Sequence, residues 1–122
     1  MITVCFQTNE DSHEISLTAR GHAGFAELGE DIVCSAASVL AYTAAQVMDE
    51  VTQEMAQALS PNISLLPGNA TLSLKCRDER TFEDAKKALR FVEVGYSLLA
   101  HNYPQYVRFE NAHMGRKENV KL

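Results

Sequence analysis

Apolar and polar residues alternate from the first position. In Met1 to Thr8, Ile2, Val4 and Phe6 point one way and Thr3, Cys5 and Gln7 the other. Period two with branched side chains predicts a strand. Asn9-Glu10-Asp11-Ser12 is turn chemistry. His13 to Arg20 alternates again, with Ile15, Leu17 and Ala19 on one face, so the two strands should pair as an antiparallel hairpin.

The period then changes. After a loop from Gly21 to Glu30, no Pro or Gly occurs from Ile32 to Leu59. Val33, Ala36, Ala37, Leu40, Ala44, Val47, Met48, Val51 and Met55 recur at helical spacing, with Asp31 as candidate N-cap. Ala36 to Met48 is apolar nearly all round, which predicts burial on most sides. Ser60-Pro61-Asn62 ends this helix at about Leu59. Ile63 to Leu66 and Ala70 to Cys76 read as strands around the tight turn Pro67-Gly68-Asn69.

A second helix, with Thr81 as candidate cap, carries the stripe Phe82, Ala85, Leu89, Val92, Tyr96, Leu99 and Tyr103, and stops before Pro104. Tyr106 to Glu110 alternates as a last strand, and residues 113–122 read as a loose tail. The predicted fold is α+β in the order ββαββαβ. Its sheet is mostly antiparallel, with both helices packed on one face.

The totals narrow the class. With 122 residues, the chain reads as one domain over 1–122. No apolar run reaches the roughly 18 residues that span a bilayer, and the N-terminus has no basic leader with an apolar core, so the expected partners include no membrane. Three cysteines without framework spacing suggest a reducing cytoplasm. The net charge of −5 without a basic stripe speaks against direct nucleic-acid binding. No cysteine or histidine pair has metal-ligand spacing, so neither a metal nor another cofactor is expected.

Chemistry concentrates where the glycine loop meets the long helix. Cys34 falls on the third helical position if Asp31 is the cap. Unpaired N–H groups and the positive end of the dipole favour an anion at such a place. A thiolate is the nucleophilic form of cysteine, and the same N–H groups, that of Cys34 included, are candidates to hold an oxyanion. His22 lies on a loop that must return to the helix start. A thiol beside an imidazole is the minimal arrangement for acyl transfer.

Alternatives remain at each position: Cys34 as core filler, His22 as a solvated loop residue, Asp31 as cap or as orienter of His22. Ser38 is one turn beyond Cys34, either a hydrogen-bonding group or a small spacer. Gly21 and Gly24 suit a loop that binds or moves. Phe25 and Leu28 either contact an apolar substrate or pin the loop. Cys5 and Cys76 read as structural.

These residues resemble a known family. Gly21-His22-Ala23-Gly24, a short loop containing Gly29, and Asp31-Ile32-Val33-Cys34-Ser35-Ala36-Ala37-Ser38 are similar to the signature of the ribosomal-processing cysteine protease family, Prp. The resemblance extends over nearly the whole chain. It implies an endopeptidase that removes a short N-terminal extension from large-subunit ribosomal protein twenty-seven. It places the nucleophile on Cys34 and the general base on His22, and implies a homodimer. Gly21, Gly24, Asp31 and Ser38 are the supporting or substrate-contacting candidates. The competing class is a non-enzymatic dimeric module that docks on a ribosomal or phage protein.

Overall fold

The computed structural model describes residues 1–27 and 29–115. Seven elements follow in the expected order: β1 (Ile2–Asn9), β2 (Glu14–Arg20), α1 (Ile32–Glu54), β3 (Asn62–Leu66), β4 (Asn69–Lys75), α2 (Glu79–Asn102) and β5 (Val107–Met114). They build one five-stranded sheet in the order β3-β4-β2-β1-β5. Every neighbouring pair is antiparallel except β1 with β5.

The alternation in β1 and β2 does what period two requires. Ile2, Val4, Phe6, Ile15 and Leu17 are buried, and Leu72 and Leu74 of β4 join them on the same side. Both helices cover that side and contribute to the same core, α1 through Val33, Ala37, Ala41, Ala44, Met48 and Val51, and α2 through Phe82, Leu89, Val92 and Tyr96. The Tyr96 hydroxyl donates to the Ala37 carbonyl at 2.8 Å, which ties α2 to α1 within one turn of Cys34.

Four expectations need correction. The first concerns the length of α1, which ends at Glu54 rather than Leu59. Asp49, Glu50 and Glu54 crowd its carbonyl end with no basic residue in the last turn, which the helix dipole disfavours. The chain turns extended at Met55 instead, Ala58 bridges to Cys76, and the Leu59 N–H donates to the Lys75 carbonyl.

The second concerns burial. Only one side of α1 is buried; Val39 and Tyr42 are 61% and 60% exposed. By length and composition α1 is apolar enough to cross a membrane, which the sequence reading did not expect. Seven of its residues are buried in the core of this fold.

The third is the cap of α2, which is Asp78 rather than Thr81. The Thr81 N–H donates to Asp78 Oδ1 at 2.9 Å, and hydrogen bonding from the Thr81 side chain and backbone holds the Asp78 carboxyl below its ordinary range.

The fourth is the last strand. It runs from Val107 to Met114, because β1 offers a partner at every position from Ile2↔Val107 to Asn9↔Met114. Thus 113 and 114 belong to the sheet, and the rest of the expected tail beyond Gly115 lies outside the described residues.

Candidate active site

The start of α1 is built around a buried carboxylate. Asp31 caps the helix and is 4% exposed. Its Oδ1 accepts the N–H groups of Val33 and Cys34, both at 2.9 Å. Its Oδ2 accepts those of Phe25 at 3.0 Å and Ala26 at 3.2 Å. One side chain therefore fastens the glycine loop to the helix.

Desolvation pushes this carboxyl up. The four N–H groups, led by that of Cys34, outweigh it and hold the carboxyl below its ordinary value of 3.8. A depressed folded-state pKa stabilises the fold above the unfolded value, and the contribution is lost as pH falls through the folded value. The difference in melting temperature between wild type and Asp31→Asn should therefore be largest near neutrality. It should shrink as pH is lowered from about 5 to about 2. A difference that stays constant across that range would show that the charge of Asp31 contributes nothing.

The capping role is the one the geometry holds for Asp31, since its described hydrogen bonds all go to backbone N–H groups rather than to His22. The same geometry corrects the expected oxyanion donor. The Cys34 N–H is already engaged by Asp31 Oδ1. The donor that does reach the sulfur is the Ala23 N–H, 3.2 Å from Cys34 Sγ.

His22 immediately precedes that donor and shares a cavity of about 400 Å³ with Cys34. Gly21, Asp31 and Ser38 line it too, together with Tyr42 of α1 and Leu65, Leu66 and Gly68 of the β3–β4 hairpin. No hydrogen bond joins the imidazole to Sγ among the described residues. Such contacts between catalytic groups often tighten only when substrate is bound. The imidazole tip lies instead over Gly68.

Several backbone bonds fix the loop. The Gly21 N–H donates to the Gly68 carbonyl at 2.9 Å, and the Met1 amine donates to the His22 carbonyl at 2.6 Å. Gly21 has φ +97°, and a Cβ there would run into the Met1 carbonyl, so only glycine fits. Gly24, also at positive φ, lies in open space and lines no part of the cavity.

Ser38 is exposed, one turn from Cys34 on the cavity wall. Phe25 packs edge-on against Tyr103 and Tyr106, with ring centroids 5.7 and 5.2 Å apart, so it pins the loop to the body. Leu28 lies outside the described residues.

The other two thiols sit in surroundings that oppose ionisation. Burial, then a hydrogen bond to Glu110, raises that of Cys5; burial, then the nearby Asp78, raises that of Cys76. At about neutral pH iodoacetamide should therefore modify Cys34 before either of them. Peptide mapping after partial labelling reads this directly, and equal labelling of all three would contradict it.

Ala23 and the Pro67-Gly68 turn are the site components that the sequence reading missed. Pro67-Gly68 was legible as a turn, but its place beside His22 depends on β2 pairing with β4, which sets Arg20 opposite Asn69.

The chain is similar to known proteins in sequence and in fold. The family model described as cysteine protease Prp matches residues 1–108. The ribosomal processing cysteine protease Prp of Mycoplasma pneumoniae is 34% identical over 98 residues, which cover 78% of this chain and 85% of that protein. Among solved structures, the essential ribosomal processing protease Prp from S. aureus with a covalently linked product peptide is similar, with a TM-score of 0.65 and 23% identity. The match covers 91% of this chain and 99% of the other. The same protease with a substrate peptide gives a TM-score of 0.64 at 22% identity, with the same coverage. At these identities the structural likeness is one of fold.

Proposed function

Because this chain belongs to the Prp family of cysteine proteases, we propose that it removes the N-terminal extension of large-subunit ribosomal protein twenty-seven, with Cys34 as nucleophile and His22 as general base. The chain is a cysteine protease. The observation that carries the assignment of roles is the shared cavity, where Cys34 at the start of α1 and His22 on the tethered loop face the same space.

Each step has a group to perform it. His22 takes the thiol proton as Cys34 Sγ attacks the carbonyl carbon of the scissile bond. The Ala23 N–H, which donates to Sγ at 3.2 Å, is the candidate donor for the oxyanion. His22 then protonates the leaving amine, and water hydrolyses the thioester, returning the thiol. Ser38 and Tyr42 line the cavity beyond Cys34, where an extended peptide would lie. The net charge of −5 favours encounter with a basic ribosomal protein.

The protease acts in the cytoplasm, where that protein is made, as a homodimer and without a cofactor. Exposed Val39 and Leu98, on the rim of a groove between α1 and α2, support pairing with a second copy through that face.

Incubation with the N-terminally extended ribosomal protein, followed by intact-mass measurement, tests the substrate. A single cut that releases the extension is expected. An extension left whole under conditions where another peptide is cleaved would assign the protease to a different target.

A further inference from the structure

The β3–β4 turn touches the catalytic loop at two points that no part of the mechanism has used. Gly68 has φ +71° and follows Pro67, the arrangement a type II turn requires. Its carbonyl accepts the Gly21 N–H at 2.9 Å. A Cβ built on Gly68 would stand 2.8 Å from His22 Nε2 and 3.2 Å from Cε1. The imidazole therefore rests on the bare backbone of this turn.

From this contact we propose that Gly68 is a positioning residue for the reaction: the absence of a side chain at 68 sets where the His22 imidazole stands relative to Cys34. The inference rests on His22 being the general base.

Which partner would give way decides the matter. The turn is held by the antiparallel ladder that closes it, Leu66 opposite Asn69, and β4 is in turn paired with β2. The bond from Gly21 adds a further tie. The imidazole is the free end of an exposed side chain. Against a methyl group at 68 the ring yields before the paired turn does, so the base moves, while the left-handed backbone adds a strain that does not act through His22. Displacing a catalytic group by about 1 Å costs ~10²-fold in rate.

The test is a double-mutant cycle on two readouts, peptide cleavage and the pH dependence of Cys34 alkylation by iodoacetamide. The proteins are wild type, Gly68→Ala, His22→Ala and the double variant, each checked for folding by circular dichroism. Gly68→Ala should lower kcat about 10- to 100-fold with KM within about twofold. It should also move the alkylation profile towards that of His22→Ala. In the His22→Ala background the same substitution should change the alkylation rate less than about twofold, because the group it acts through is gone.

If the left-handed backbone at 68 prevents Gly68→Ala from folding, Gly68→Asn carries the same Cβ with better tolerance of positive φ and the same expectations. Activity of the folded variant within about twofold of wild type would overturn the proposal. So would an equal slowing of alkylation with and without His22. If His22→Ala itself matched wild type on both readouts, the dyad would fail first and this inference with it.

Discussion

Cys34→Ala should abolish proteolysis and leave the fold unchanged. Removal of a covalent nucleophile lowers kcat by about 10⁴-fold or more, because the remaining binding groups cannot replace the bond it forms. The fold has little reason to respond. Cys34 is only partly buried, its Sγ accepts a single backbone N–H, and its own N–H is held by Asp31, which alanine preserves. Alanine is also the best residue for a helix interior. Far-UV circular dichroism and the melting temperature should match wild type, and cleavage of the extended ribosomal protein should fall to background. Cleavage at more than about a hundredth of the wild-type rate by pure Cys34→Ala would remove Cys34 from the mechanism.

His22→Ala should bring the second-largest loss, about 10²- to 10⁴-fold in kcat, the usual contribution of a positioned acid–base group. The loss follows from removing the group that takes the thiol proton during attack and returns it to the leaving amine. Raising pH should recover part of the variant's acylation rate, since hydroxide can take the thiol proton that His22 took. The loop itself should persist. Its ties run through backbone and Asp31: Gly21 to Gly68, Met1 to the His22 carbonyl, and Phe25 and Ala26 to Asp31 Oδ2. A loss confined to KM would instead make His22 a binding residue.

The fold was legible wherever one physical rule decided the outcome. Period two in Ile2, Val4 and Phe6 and in Ile15 and Leu17 gave the first hairpin, and the stripe from Phe82 to Leu99 gave α2. Reading failed where two rules competed. Helical spacing ran on to Met55, but the acidic residues at the end of α1 and the bridge from Ala58 to Cys76 favoured an earlier stop. Thr81 read as the cap of α2, but Asp78, three residues earlier, takes that place with the Thr81 N–H as its donor. The apolar run from Ala36 to Met48 cannot by itself say which side faces the sheet. Val39 and Tyr42 stayed exposed because the helix covers the sheet with one face only.

In the site, the local parts could be read and the non-local ones could not. Asp31, His22 and Cys34 lie within thirteen positions of one another, and the helix start and glycine loop identify them. That Asp31 would also bind the N–H groups of Phe25 and Ala26 depends on how the loop folds back. That Ala23 would donate to Sγ, and that a turn about forty-five residues further on would support His22, depends on strand order. No spacing rule in a single sequence carries strand order.

The most direct test of the Cys34–His22 mechanism is a chloromethyl ketone made on the acyl-side sequence of the ribosomal extension, with the labelled residue mapped by mass spectrometry. The account predicts one label per chain, on Cys34, with activity lost in proportion to labelling, and labelling markedly slowed in His22→Ala. Inactivation with the label on Cys5 or Cys76, or full labelling of Cys34 with proteolysis retained, would contradict it.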